Sequence, residues 1–94
     1  MNESLPKPSE VAAMVQSLIP EGRPYQGMRA SAVRAPGDVR GYYVTLDLRG
    51  EEERVGGKAL CESLADYRDS KTGGLPEMVE QAATKLAKRV TANE

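Results

Sequence analysis

The sequence predicts an α+β fold, a three-stranded antiparallel meander packed on one face by helices, in the order α-β-β-β-α-α. The first observation is the stretch Tyr42–Leu48, where apolar and polar residues alternate as they do in a half-buried strand. The second is that three other segments carry apolar residues at helical spacing. The third is that Gly and Pro clusters separate these segments. Because the apolar face of a strand must be covered, we expect the helices to form a second layer on the sheet.

The length and composition are those of one small globular domain. The chain has 94 residues, of which 39% are hydrophobic and 29% charged, and its net charge is -1. We expect a flexible N-terminal lead over residues 1–7 and a single α+β domain over residues 8–94. No apolar run reaches the ~20 residues of a membrane helix. The first residues also lack the basic and apolar regions of a signal peptide.

The residue types exclude several kinds of chemistry. The chain contains no His and a single Cys, Cys61, so zinc sites built from Cys and His, and catalytic triads with a His base, cannot form within one chain. We predict no enzyme activity, no cofactor and no metal site. We expect a cytoplasmic protein, because one thiol without a disulfide partner fits a reducing compartment. Cys61 lies beside Leu60 and Leu64 on a helical stripe, which predicts a buried core thiol.

The first helix is expected from Pro8 or Ser9 to about Ile19. Pro suits the first helical turn, and Ser is a good N-cap. Pro20 cannot continue the hydrogen-bond ladder, so the helix should stop just before it. One stripe of this segment is apolar and consists of Val11, Met14, Val15, Leu18 and Ile19.

The meander should consist of three strands, at residues 28–35, 39–49 and 52–55. Residues 36–38 have the Pro-Gly-Asp composition of a hairpin loop, and Gly50–Glu51 should form the second turn. In the first strand, Arg29, Ser31 and Val33 alternate with small apolar residues. The acidic residues of the third strand suit an exposed edge, where charge discourages pairing between sheets.

The last two helices are expected over residues 58–71 and from Leu75 onward. The apolar face of the earlier one consists of Leu60, Cys61, Leu64 and Tyr67. Residues 72–74 should end it, because Gly readily takes the left-handed conformation. Pro76 and Glu77 suit the first turn of the final helix.

Arginine placement is the feature that points to binding. Every cation within residues 22–57 is Arg, a residue suited to planar recognition of phosphate and carboxylate and enriched at protein interfaces. If the apolar side of the central strand faces the helices, Tyr43, Thr45 and Arg49 face outward. We therefore predict a binding surface formed by Arg29, Arg34, Arg40, Tyr43, Thr45 and Arg49. The alternative is a solvated face on which Arg and acidic side chains pair across the strands.

These observations favour a small non-catalytic protein-binding module, an adaptor or an inhibitor, that acts through the Arg and Tyr side chains of its sheet. The partner would be another protein, and a homodimer is a further expectation. A small acidic protein without His is of a type common among accessory proteins of phages and mobile elements. We expect no membrane partner.

The predicted element order resembles two nucleic-acid-binding families. Helix–strand–strand–strand–helix is the order of the double-stranded-RNA-binding domain. A three-strand meander followed by a helix is similar to the small DNA-binding domains of the AP2 and integrase type. This resemblance of topology implies, as the alternative function, a nucleic-acid-binding domain that uses the sheet arginines. The RNA-binding family carries a basic cluster at the start of its last helix, whereas residues 58–62 here hold one cation and one acid, so nucleic acid is the second choice.

Overall fold

The helices and strands of the computed structural model follow the predicted order. The structure describes residues 6–35, 41–56 and 60–92. The elements are α1 Pro8–Leu18, β1 Arg29–Arg34, β2 Tyr42–Leu48, β3 Glu51–Val55, α2 Leu60–Ser70 and α3 Leu75–Ala92. The predicted α+β fold, with the order α-β-β-β-α-α, is therefore confirmed.

The sheet is an antiparallel meander in the order β1-β2-β3, with β2 in the centre. On β2 every second side chain is buried, namely Tyr42, Val44, Leu46 and Leu48. The neighbours that lie opposite Val44 are Ala32 on β1 and Val55 on β3. Because directly opposite residues point to the same side of a sheet, these residues share one face, which we call the inner face.

The central strand ends one residue before the predicted Arg49, and residues 39–40 of its predicted span lie outside the described residues, as does the predicted hairpin loop at residues 36–38. Its last residue is Leu48, because Arg49 and Gly50 have φ angles of 52° and 86° and form the turn to β3. Two-residue hairpin turns with both φ values positive match the twist of the strands they join. The turn is therefore Arg49–Gly50 rather than the predicted Gly50–Glu51, and β3 begins at Glu51.

Helices α1 and α3 cover the inner face of the sheet, and α2 packs against α3. Leu46 is fully buried beneath them, as are Val15 of α1 and Leu86 of α3. The prediction that Cys61 is a buried core thiol is wrong. Cys61 is half-buried at the border of the core, because the buried stripe of α2 runs through Leu60, Ser63 and Leu64 instead.

The start of α1 is anchored by two hydrogen bonds. The Lys7 backbone N–H donates to Glu10 Oε1 at 3.0 Å, which satisfies one of the donors that a helix N-terminus leaves unpaired. The Tyr42 hydroxyl donates to the carbonyl of Pro6, and Pro6 itself is buried. Residues 1–5 of the predicted flexible lead lie outside the described residues.

Candidate functional site on the open face of the sheet

The side of the sheet opposite the inner face is left uncovered by the helices, and we call it the open face. Its side chains come from the alternate positions of all three strands. With the exception of the half-buried Thr45, they are exposed. The open face consists of Arg29, Ser31 and Val33 on β1, Tyr43, Thr45 and Asp47 on β2, and Glu52 and Arg54 on β3.

The open face carries charges of both signs. Arg29 lies opposite Asp47, which in turn lies opposite Glu52. In the next row Thr45 lies opposite Arg54. The two Arg and two acidic residues cancel, so the open face is neutral in sum. Residues 22–50 contain five Arg and two acidic residues, and this local excess of Arg is therefore not carried onto the open face.

One end of the open face is apolar and aromatic. Val33 and Tyr43 lie opposite each other, and they are 56% and 41% exposed. The guanidinium carbon of Arg54 lies 4.5 Å from the centroid of the Tyr43 ring. At an exposed site such a cation–π contact contributes about 0.5–1 kcal/mol. We call Val33, Tyr43 and Arg54 the aromatic patch.

The six residues predicted to form the binding surface are only partly brought together. Arg29, Tyr43 and Thr45 share the open face. Arg34 does not, because it lies opposite the buried Tyr42 and therefore on the helix side of the sheet. There its guanidinium carbon lies 5.4 Å from the centroid of the Tyr42 ring.

Arg49 is likewise separate from the open face. It lies in the hairpin turn, where its positive φ takes its side chain out of the alternation of the strand. It lines a cavity of about 190 Å³ together with Arg23, Gln26 and Thr91. Arg40, the remaining member of the predicted set, lies outside the described residues.

Two residues of the aromatic patch were not in the predicted set. Val33 alternates with Arg29 and Ser31 along β1, which was a usable signal in the sequence. An apolar Val is usually assigned to a core, so its exposure was not anticipated. The position of Arg54 over Tyr43 depends on the register of β3 against β2, which the two-residue turn Arg49–Gly50 sets. The turn predicted at Gly50–Glu51 would have given a different register.

The functional groups of the open face are hydroxyl, guanidinium and carboxylate groups beside the apolar pair Val33 and Tyr43. This arrangement suits the binding of another molecule. Within residues 6–35, 41–56 and 60–92, no group of three or more Cys, Asp or Glu residues is placed to hold a metal ion. Over the same residues, no helix is both long enough and apolar enough to cross a membrane.

Comparisons with protein families, with curated proteins and with solved structures give no match. Function is therefore inferred from this chain's own residues.

Proposed function

We propose that this chain is a small protein-binding module, an adaptor or an inhibitor, and that its partner docks on the open face of the sheet. The observation that carries the proposal is the exposure of Val33 and Tyr43 side by side on an otherwise polar face. Protein interfaces combine an apolar core with a polar rim, and Tyr and Arg are enriched among the residues that dominate binding energy. The aromatic patch has the composition of such a core.

The charge of the open face favours a protein partner over the alternative, a nucleic acid. A nucleic-acid backbone is bound by Lys and Arg side chains that neutralise several phosphates together. On the open face Arg29 is matched by Asp47, and Glu52 offsets Arg54. A mixture of both signs suits a protein rim, where each charge can meet its opposite on the partner.

The proposed role is non-catalytic. The chain has no His to serve as a base for Cys61 or for a Ser nucleophile. The proposed setting is the cytoplasm, because the single Cys61 has no second Cys in the chain to pair with.

The test uses the double variant Tyr43→Ala/Arg54→Ala. Proteins captured by the tagged parent chain from a lysate of its native host are quantified by mass spectrometry, after nuclease treatment. We expect the variant to lose the captured partner while its free energy of unfolding falls by only about 0.5–1 kcal/mol, the contribution of the lost cation–π contact, so that it stays folded. The matched control is Glu80→Ala/Lys88→Ala, which alters two exposed residues of α3 and should retain the partner.

Salt separates the two kinds of partner in the same experiment. Capture of a protein through an apolar patch should persist when NaCl rises from about 0.1 M to about 0.5 M, whereas phosphate binding falls steeply with salt. Full retention of every captured protein by the double variant would place the working surface elsewhere. Capture that disappears with nuclease and with salt would instead support the nucleic-acid alternative.

A further inference from the structure

The outer edge of β1 presents main-chain groups that β2 does not use. In an antiparallel pair, successive residues direct their N–H and C=O groups alternately toward the neighbouring strand and away from it. The Ala35 N–H donates to the Gly41 carbonyl at 3.0 Å, which continues the ladder between the two strands. Counting back along the register, Ala30, Ala32 and Arg34 direct their main-chain groups away from β2.

A helix side chain covers the first part of this edge. Gln16 Nε2 donates to the Met28 carbonyl at 3.0 Å, and the Ala30 N–H donates to Gln16 Oε1 at 2.8 Å. The amide of Gln16 thus takes the place of a peptide group in an added strand. This contact ends at Ala30, and β1 continues to Arg34.

The other edge of the sheet is better protected against pairing. The outward carbonyl of Glu52 on β3 accepts a hydrogen bond from Arg89 Nη1 at 2.8 Å. The side chains of residues 51–54 are all charged, and charge is one of the features that keep edge strands from associating. On β1, by contrast, residues 30–33 are uncharged, and the register with β2 is uninterrupted by a bulge.

We propose that a second copy of this chain pairs antiparallel with β1 through residues 31–35, about a twofold axis at Val33. In this register Ala32 lies opposite Arg34 of the second copy, and each such pair exchanges both of its main-chain hydrogen bonds. Val33 lies opposite Val33 of the second copy as a non-hydrogen-bonded pair, the type in which side chains approach most closely.

Charge and the position of Gln16 select this register and favour a second copy as the occupant. A twofold axis at Arg34 would set Arg against Arg, and like charges directly opposite each other are destabilising. A twofold axis at Ala30, Ser31 or Ala32 would pair Ala30 with the second copy and so collide with the Gln16 contact. The axis at Val33 sets Arg34 against the uncharged Ala32. It also pairs Val33, which at 56% exposure is the most exposed large apolar side chain of the described residues, with Val33 of the second copy.

Pairing would join the two open faces into one sheet. Both Val33 side chains stay on the open face, so the two aromatic patches become a continuous apolar strip with Tyr43 at each end. Five residues from each copy are far fewer than the ~20–30 residues a side of a standard interface. We therefore expect a weak dimer whose population depends on protein concentration.

The experiment is sedimentation equilibrium from about 10 µM to about 1 mM protein, the range in which weak association is seen. Val33→Lys and Val33→Glu each place like charges against each other at the twofold axis, so each alone should weaken dimerisation about tenfold or more. An equimolar mixture of the two variants should restore the dimer, because Lys then faces Glu. Val33 is exposed, and circular dichroism will verify that both variants remain folded.

Ser31→Lys is the matched control. Ser31 is exposed on the same strand and the same face, but in the proposed register it lies opposite Ala35 and not opposite itself. This variant should dimerise like the parent. The double variant Tyr43→Ala/Arg54→Ala should also dimerise, so failure of the dimer and failure of the proposed protein-binding function are separate results.

Three outcomes would overturn the proposal. The first is a parent chain that stays monomeric throughout the concentration series. This outcome holds even if the β1 edge pairs with an extended segment of another protein. The second is unchanged dimerisation of Val33→Lys. The third is a mixture of the Lys and Glu variants that stays monomeric, which would rule out a twofold axis at Val33.

Discussion

Tyr42 joins the central strand to the beginning of the described chain. Its ring is buried, and its hydroxyl donates a hydrogen bond to the carbonyl of the buried Pro6. Burial raises the pKa of Tyr42 above its ordinary value of 10, although the nearby Arg34 acts in the opposite direction. The neutral phenol is therefore the form that the folded state holds.

Replacement of this residue, Tyr42→Phe, should cost about 1 kcal/mol of unfolding free energy near pH 8, because one buried hydrogen bond is lost. The raised pKa means that the folded state retains its proton where the unfolded state has lost it. The stabilisation is thus fully present below pH ~10 and is lost as pH rises through the higher pKa of the folded state.

Urea unfolding of the parent and of Tyr42→Phe, measured at a series of pH values from about 8 to about 11, tests this expectation. The difference between the two proteins should shrink above pH ~10. Comparison with the variant removes the contribution of other groups that titrate in this range. A difference that stays constant with pH would contradict the assigned role of the Tyr42 phenol.

At the scale of elements, each edge of the sheet is covered in part by a side chain from a helix. Gln16 of α1 bonds both a donor and an acceptor on the edge of β1. Arg89 of α3 bonds the edge carbonyl of Glu52 on β3 and forms ion pairs with Glu51 and Glu53. These contacts fix where each helix lies along its strand, which apolar packing alone specifies less sharply.

The variants Gln16→Glu and Gln16→Ala should separate the contributions that the two Gln16 hydrogen bonds at the β1 edge make to stability. A carboxylate still accepts from the Ala30 N–H but cannot donate to the Met28 carbonyl, whereas Ala does neither. Each lost bond should cost about 0.5–1.5 kcal/mol. Amide hydrogen exchange at Ala30 should therefore stay slow in Gln16→Glu and become faster in Gln16→Ala.

The control for this pair is Gln81→Ala, which removes an exposed Gln from α3 and should change the unfolding free energy by less than ~0.5 kcal/mol. Equal exchange rates at Ala30 in all the variants would show that the Gln16 amide does not hold the edge in solution.

At the scale of the whole molecule, one core joins all the helices and strands that the structure describes. Buried apolar residues from every helix belong to it, together with those of β2 and β3, and the alanines of β1 pack against it. Leu46 lies in the middle of this core with no exposed surface. A single core of this kind predicts cooperative unfolding of a small domain.

Leu46→Ala should lower the unfolding free energy by ~2–5 kcal/mol, because a fully buried Leu leaves a cavity when it is truncated. The unfolding midpoint measured by far-UV circular dichroism, which reports the helices and strands, should move to lower urea concentration. The midpoint measured by the near-UV signal of the Tyr residues should move with it. The comparison variant is Ser31→Ala on the open face, which should change the midpoint little. A far-UV transition that separates from the near-UV one would show that α2, which packs mainly against α3, unfolds on its own.

Local features of the sequence determined the elements of this protein. The alternation over Tyr42–Leu48 specified a strand with one buried face, and Pro8, Pro20 and Pro76 marked where helices begin or end. These signals could be read without the tertiary structure because helix and strand periods are set by the backbone over neighbouring residues.

Only the tertiary structure decided which side chains meet. The turn at Arg49–Gly50 took Arg49 out of the strand and set the register of β3 against β2 that places Arg54 over Tyr43. Arg34, by contrast, lies on the helix side because of the alternation along β1, which the sequence already indicated. The exposure of Val33 and the half-burial of Cys61 also depend on which faces the helices cover. Packing between layers joins residues far apart in the chain, and strand register depends on which residues form the turn, so the local periods of the strands alone do not encode these contacts.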